Sequence, residues 1–140
     1  MIYKPLYILV FLFFINAYSQ NTKDVSFIKD MSYLESANLV NCDSTSGSNL
    51  EQRICLNIKL RRIDSLMLSK FHSTLREIES DSLKNVFREN QTNWEIERKS
   101  ISMHKSDGLE SNVGANMFMH YMIKLTELRI LTLNYILEEN

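Results

Sequence analysis

The feature that most constrains this chain is its shortage of residues that interrupt helices. The sequence contains only three glycines and one proline, and that proline, Pro5, lies close to the N-terminus. Beyond it, apolar residues recur at spacings of three and four, which is the period of one helix face. Glycine and proline are the strongest helix breakers. The sequence therefore predicts an all-α protein, and no internal repeat or low-complexity tract marks a second domain.

The N-terminal residues are typical of a secretory signal peptide. Lys4 precedes an unbroken apolar run from Leu6 to Ile15, and Ala17 and Ser19 then supply the small-x-small pattern that signal peptidases cleave. This run is shorter than the roughly twenty residues that a membrane-spanning helix needs. We expect removal of residues 1–19, export to the periplasm or the extracellular space, and no stable membrane anchor after cleavage. An uncleaved anchor is the alternative.

The remaining chain, residues 20–140, has the length of a single domain. Without Lys4 it carries 15 basic and 17 acidic side chains, a formal charge of −2. A nucleic-acid-binding domain would show a strong basic excess. We therefore predict that this protein has no nucleic-acid partner.

The two cysteines, Cys42 and Cys55, both fall in the predicted exported part. An oxidising compartment makes a disulfide the expected state. Its short loop predicts about 3 kcal/mol of stabilisation in the chain-entropy model. Two free buried thiols are the alternative. A redox pair is disfavoured because the Cys-x-x-Cys spacing is absent.

Four helices are predicted along the chain. A short one covers residues 24–37. Residues 48–51, Ser-Asn-Leu-Glu, form a capping box that opens a long helix to about residue 79. Two further long helices cover residues 83–105 and 112–137. The predicted architecture is an antiparallel bundle of three long helices plus a short N-terminal helix, with one disulfide.

The apolar stripes of the long helices predict the core, and Asp81 or Ser82 is the predicted cap of the second long helix. Phe87, Trp94 and Ile101 lie seven residues apart, a spacing that stays near one face. Other predicted core positions are Leu50, Ile54, Ile58, Met67, Phe71, Leu83, Val86, Phe118, Leu125, Leu128 and Leu131. The methionine- and aromatic-rich stretch at residues 117–122 favours core packing, with a binding groove as the alternative.

Residue patterns that carry catalysis or bind metal are missing from the sequence. His72, His104 and His120 fall on different predicted elements, and none has a histidine or cysteine three or four residues later. No glycine-rich phosphate loop occurs, and the carboxylates are scattered along helix faces. We therefore predict a non-enzymatic protein without catalytic residues, metal ligands or cofactor, and keep a hydrolase as an alternative of another class.

Two blocks of residues resemble a known family, the lysozyme-inhibitor LprI-like family of exported bacterial proteins. The first block comprises Cys42, Glu51, Ile54, Cys55, Leu60 and Asp64. The second is Gln91-x-x-Trp94-x-x-x-Arg98, followed by Leu125-Thr126-x-x-Arg129. The resemblance covers roughly residues 42–133. It departs from the family at a second cysteine pair that members often carry, where this chain has residues such as Ser102 and Tyr121.

The resemblance implies a periplasmic or extracellular protein that binds and inhibits lysozyme. Lysozymes are commonly cationic, and an inhibitor gains association rate from an acidic face, with which a charge of −2 agrees. A second hypothesis is a structural or protein-interaction module of the cell envelope that has no affinity for lysozyme and binds another envelope protein.

The motif residues Glu51, Asp64, Gln91, Trp94, Arg98, Thr126 and Arg129 are interpreted as structural. We expect Trp94 to fill space between helices. Asp64 is the expected carboxylate partner of Arg98 or Arg129 in a polar network that fixes helix register. A partner would instead bind the loops at residues 43–49 and 106–111, which offer the carboxylates of Asp43, Asp107 and Glu110.

Overall fold

The computed structural model describes residues 37, 39–44, 47–106, 109 and 111–138 of the chain. This part of the chain forms three α-helices: α1 over Asn49–Glu77, α2 over Asp81–Ser106 and α3 over Asn112–Glu138. The predictions of an all-α fold and of three long helices are confirmed. The predicted signal peptide, and the predicted short helix at 24–37 apart from Ala37, lie outside the described residues.

Helix α1 begins where the capping box predicts. The Ser48 hydroxyl accepts a hydrogen bond from the backbone amide of Glu51 at 3.2 Å. This bond satisfies one of the amides that the first turn of a helix leaves without a partner. Gly47, which precedes the cap, has a φ of 84°, a conformation that glycine adopts at little cost. A larger side chain at this position would strain the entry to α1.

The caps of α2 and α3 are also serines. The Ser80 hydroxyl accepts from the amide of Leu83 at 3.4 Å, so the cap of α2 lies one residue before Asp81 and two before Ser82, the two predicted caps. The Ser111 hydroxyl accepts from the amide of Gly114 at 2.9 Å. In each case the short side chain bonds an amide three residues later, as an N-cap does.

The contacts between side chains give the direction of each helix. Asn57 on α1 contacts Met119 on α3, and Asp64 on α1 contacts Thr126 on α3. In both pairs the two residues are separated by 62 positions in the sequence. A constant separation means that α1 and α3 run parallel. Helix α2 runs antiparallel to α1, because Asp64 pairs with Arg98 whereas the later Phe71 stacks on the earlier Phe87.

The buried core is shared by α1 and α3, with α2 covering one side. At one end Met67, Phe71 and Leu133 form a cluster against which Phe87 and Trp94 of α2 pack. Toward the other end the buried apolar residues include Ile54, Ala115, Phe118, Met119 and Ile123, and Leu109 is buried in the segment before α3. Full burial of a side chain of this size stabilises the fold by roughly 1.5–3 kcal/mol.

Several side chains that were predicted to be buried are exposed. These predictions were wrong for Leu50, Ile58, Leu83, Val86, Leu128 and Leu131, whose exposed fractions range from 41% to 63%. The physical reason is that each helix of a three-helix arrangement has at most two neighbours, so a broad apolar stripe is only partly covered. Among the described residues, no helix combines the length and apolar composition needed to cross a membrane.

Candidate functional site

Asp64, Arg98 and Thr126 of the resemblance motif come from three different helices and meet between them. Arg98 on α2 donates from Nη1 to Asp64 Oδ1 on α1 at 2.5 Å and to Thr126 Oγ1 on α3 at 2.7 Å. The Thr126 hydroxyl donates in turn to the carbonyl of Met122 at 2.7 Å. One guanidinium therefore joins all three helices. Its side chain is 10% exposed, whereas that of Asp64 is 33% exposed.

A second group of polar side chains surrounds the buried Gln91, which precedes Arg98 on α2 by seven residues, or about two turns. Its amide nitrogen donates to Glu95 Oε1 at 3.0 Å, and its amide oxygen accepts from Arg129 Nε at 3.2 Å. Arg129 also donates from Nη2 to Asn90 Oδ1 at 2.9 Å. These bonds fix the rotation of α3 against α2, since both ends of the guanidinium bond α2 side chains.

Trp94 packs against both arginines. The Cζ atoms of Arg98 and Arg129 lie 4.8 Å and 5.5 Å from the centroid of its ring. Both distances fall within the range in which a cation is attracted to an aromatic face. Trp94 is only partly buried, so it contributes to the core on one side and to the protein surface on the other.

The two arginines differ in their electrostatic surroundings. Arg98 has the carboxylate of Asp64, whereas no carboxylate of the described residues lies within 4.0 Å of Arg129. Burial lowers the pKa of Arg129 from its ordinary value, because the guanidinium loses water without gaining a counter-charge. Arg129 still remains protonated at neutral pH, so the site keeps an uncompensated positive charge.

Next to this cluster is an open groove between α2 and α3. We define the α2–α3 groove by Trp94, Glu97 and Ile101 on α2 and Leu125, Leu128 and Arg129 on α3. Its volume is about 240 Å³, which is below the roughly 300–1,000 Å³ of typical small-molecule pockets. Its walls are mainly apolar and its ionisable groups are arginines and a carboxylate, so its composition is typical of a contact surface.

The groove continues along α2 toward the start of that helix. Asn90, which bonds Arg129, also lines a neighbouring apolar depression with Leu83, Val86 and Phe87. Leu83 and Val86 are 60% and 59% exposed. The exposed face of α2 next to α3 is therefore apolar over most of the length of the helix.

The disulfide lies at the other end of α1. Cys42 and Cys55 are joined, with their Cα atoms 5.5 Å apart, so the predicted disulfide is confirmed. The bridge ties the preceding loop, including the exposed Asp43, to the second turn of α1. Arg53 donates to Asn112 Oδ1 at 3.4 Å, which places this disulfide-closed end next to the start of α3.

The structure thus separates the candidate residues into two groups. It brings together Asp64, Gln91, Trp94, Arg98, Thr126 and Arg129, whereas Glu51 and the cysteines are elsewhere. Glu51 precedes Asp64 by 13 residues on α1, which corresponds to roughly 20 Å along the helix. Asp107 and Glu110 lie outside the described residues. No group of three or more histidine, cysteine or carboxylate side chains in the described part is placed to hold a metal ion.

Sequence reasoning missed the α2–α3 groove. Asn90, Trp94, Glu97 and Ile101 follow one another at spacings of four, three and four, so they share one face of α2. From the sequence, the apolar members Trp94 and Ile101 are predicted to be core residues. Asn90 and the charged Glu97 were the available signal that this face is in contact with water.

Comparison with protein-family models, with curated proteins and with solved structures gave no match to this chain.

Proposed function

We propose that this chain is an exported, non-enzymatic helical protein similar to the LprI-type lysozyme inhibitors, and that it binds and inhibits lysozyme. The observation that supports the proposal is the contact of Arg98 with Asp64 and Thr126. Asp64 belongs to the first block of the resemblance, Arg98 and Thr126 belong to the two motifs of the second block, and the three residues come from three helices. Their meeting in space is expected if the blocks are the signature of one shared fold.

Export and binding without catalysis are part of the same proposal. The Cys42–Cys55 bridge agrees with an oxidising compartment, in which structural disulfides persist. Gln91, Arg98 and Thr126 are held by bonds to neighbouring helices, and we therefore interpret them as structural groups. We therefore infer that the protein inhibits lysozyme by binding it through part of its surface.

We place the lysozyme-binding surface at the disulfide-closed end of the bundle. The hydrogen bond between Arg53 and Asn112 brings the end of the loop at 43–49 close to the end of the loop at 106–111. The exposed Asp43 lies on the first loop, and Asp107 and Glu110 belong to the second. We expect the exposed carboxylate of Asp43, together with the acidic residues in the sequence of the second loop, to attract a cationic lysozyme.

A turbidity assay with lysozyme and bacterial cell walls tests the proposal. The protein, purified after export of the full-length chain, should slow clearing in proportion to its concentration. Combined Asp43→Asn, Asp107→Asn and Glu110→Gln substitutions should weaken inhibition at least tenfold. The matched control neutralises three carboxylates near the opposite end of the bundle, Glu77→Gln, Glu79→Gln and Asp81→Asn, and should inhibit like the unmodified protein.

A second candidate function is a cell-envelope interaction module without affinity for lysozyme. The observation that favours it is the open α2–α3 groove, whose Leu128 is 59% exposed. Soluble monomers rarely leave large apolar patches uncovered. The same turbidity assay separates the two functions. Full lysozyme activity in the presence of excess protein would rule out inhibition and would favour the interaction module.

A further inference from the structure

We propose that the α2–α3 groove is the interface at which two copies of this chain associate as a symmetric dimer. This inference goes beyond lysozyme binding and does not depend on it. Three observations carry it: the apolar composition of the groove, the pair of opposite charges inside it, and its length.

The apolar composition is concentrated on one face of the helix pair. Trp94, Ile101 and Leu125 line the groove and remain partly accessible, and Leu128 is 59% exposed at its edge. The apolar face extends along α2 to Val86, which is 59% exposed. No residue of α1 lines the α2–α3 groove, so the groove is open at a position where a fourth helix could pack, as in a four-helix bundle. A second copy would supply helices to fill that position.

The charges in the groove favour a second copy over a charged ligand. Arg129 is partly buried and has no carboxylate of the described residues within 4.0 Å, and Glu97 has no cation within that distance. Arg129 would repel a cationic ligand, and Glu97 would repel an anionic one. Because a two-fold interface matches the same patch with itself, Glu97 of each copy can pair with Arg129 of the other. The groove is therefore complementary to itself.

The dimensions of the face assign the interface to a size class. From Leu83 to Ile101, α2 spans roughly 27 Å, and two adjacent helices are about 20 Å wide, which gives a footprint of roughly 540 Å² per copy. A dimer would bury about 1,100 Å², close to the roughly 1,200 Å² at the lower end of specific interfaces. We therefore expect a reversible dimer with a dissociation constant in the micromolar range.

Sedimentation velocity measures this association on the protein purified after export of the full-length chain. Between about 1 µM and about 200 µM, which brackets micromolar affinity, the mass should rise from that of one copy to that of two. Leu128→Glu should raise the dissociation constant at least tenfold, because it places a charge in the apolar centre. Its matched control is Ile96→Glu, since Ile96 is 62% exposed on α2 but does not line the groove.

The charge pairing has its own test. Glu97→Arg puts a second positive charge beside Arg129 and should also raise the dissociation constant at least tenfold. Glu89→Arg makes the same change at another exposed position of α2, outside the groove, and should leave the dimer unchanged. Circular dichroism of every variant verifies that the helices are intact. A protein that stays monomeric throughout this range, or groove variants that associate as well as their controls, would overturn the proposal.

Discussion

The guanidinium of Arg98 contacts the carboxylate of Asp64, and through the same nitrogen it also contacts the hydroxyl of Thr126. Arg98 is nine-tenths buried, so its charge depends on this single carboxylate for compensation. A buried charge that loses its partner is strongly destabilising, whereas an exposed ion pair contributes little. The pair therefore makes the folded state sensitive to Asp64.

The first prediction concerns this pair. Asp64→Ala should reduce the free energy of unfolding by about 2–4 kcal/mol, at or below the roughly 3–5 kcal/mol for a fully buried pair, because Asp64 is one-third exposed. Urea denaturation followed by circular dichroism measures the change. The control is Lys59→Ala, which breaks the exposed pair with Glu127 at 3.0 Å and should cost less than about 1 kcal/mol. Equal losses in both variants would contradict a structural role for Asp64.

The sequence predicted this contact better than it predicted the surface of the protein. Gln91, Trp94 and Arg98 share one helix face because their spacings are three and four, and Asp64 is the carboxylate that the sequence predicts as an arginine partner. Spacing alone does not show how much of a stripe is covered. Leu83 and Leu128 repeat at the same period as buried residues yet are exposed. Coverage depends on how many helices surround each one, which is a tertiary property.

The second prediction concerns Trp94. Truncation to alanine removes the ring that packs against the two arginines and against the core cluster of Met67, Phe71 and Leu133. We expect Trp94→Ala to cost about 2–3 kcal/mol, less than the roughly 3–5 kcal/mol expected for a fully buried tryptophan, because its ring is partly exposed. Trp94→Phe keeps an aromatic face and should recover at least half of the loss. Thermal unfolding at low protein concentration measures both variants. An unchanged melting temperature in Trp94→Ala would show that the ring makes no contribution to the stability of the core.

The third prediction concerns the disulfide. Cys42 and Cys55 are 13 residues apart and close a loop onto α1. Replacing both with serine should lower the free energy of unfolding by about 3 kcal/mol, because the unfolded chain regains the entropy of the open loop. Reduction of the unmodified protein with dithiothreitol should produce the same loss, and the serine variant should not respond to it. If neither the serine substitutions nor reduction changed the free energy of unfolding, the stabilising role of the disulfide would be contradicted.

The fourth prediction is a pH dependence at Glu127. A hydrogen bond from Lys59 is the main cause that lowers the pKa of this carboxyl from its ordinary value of 4.5. A lowered pKa in the folded state stabilises the fold above the unfolded value, and this contribution is lost as the pH falls through the folded value. Glu127→Gln should therefore be less stable than the unmodified protein at pH 7, and the difference should shrink as the pH falls below 4.5. A difference that is constant over this range would show that the charge of Glu127 makes no contribution.

The helix ends show a similar division between what the sequence predicts and what it does not. The capping box at Ser48 correctly predicted the start of α1, because the bond to Glu51 is local. At α2 the sequence offers Ser80, Asp81 and Ser82 in succession, each able to cap a helix. The structure selects Ser80, and local chemistry alone does not decide among the three.

Capture of a muramidase from solution tests the central claim most directly. The protein, purified after export of the full-length chain, is mixed with lysozyme at about 10 µM each, a concentration that saturates any interaction of sub-micromolar affinity, and the mixture is separated by size-exclusion chromatography. We predict that the two proteins elute together ahead of either alone and that the complex loses muramidase activity. Separate elution with full activity, for lysozymes of every structural class tested, would contradict the proposed function.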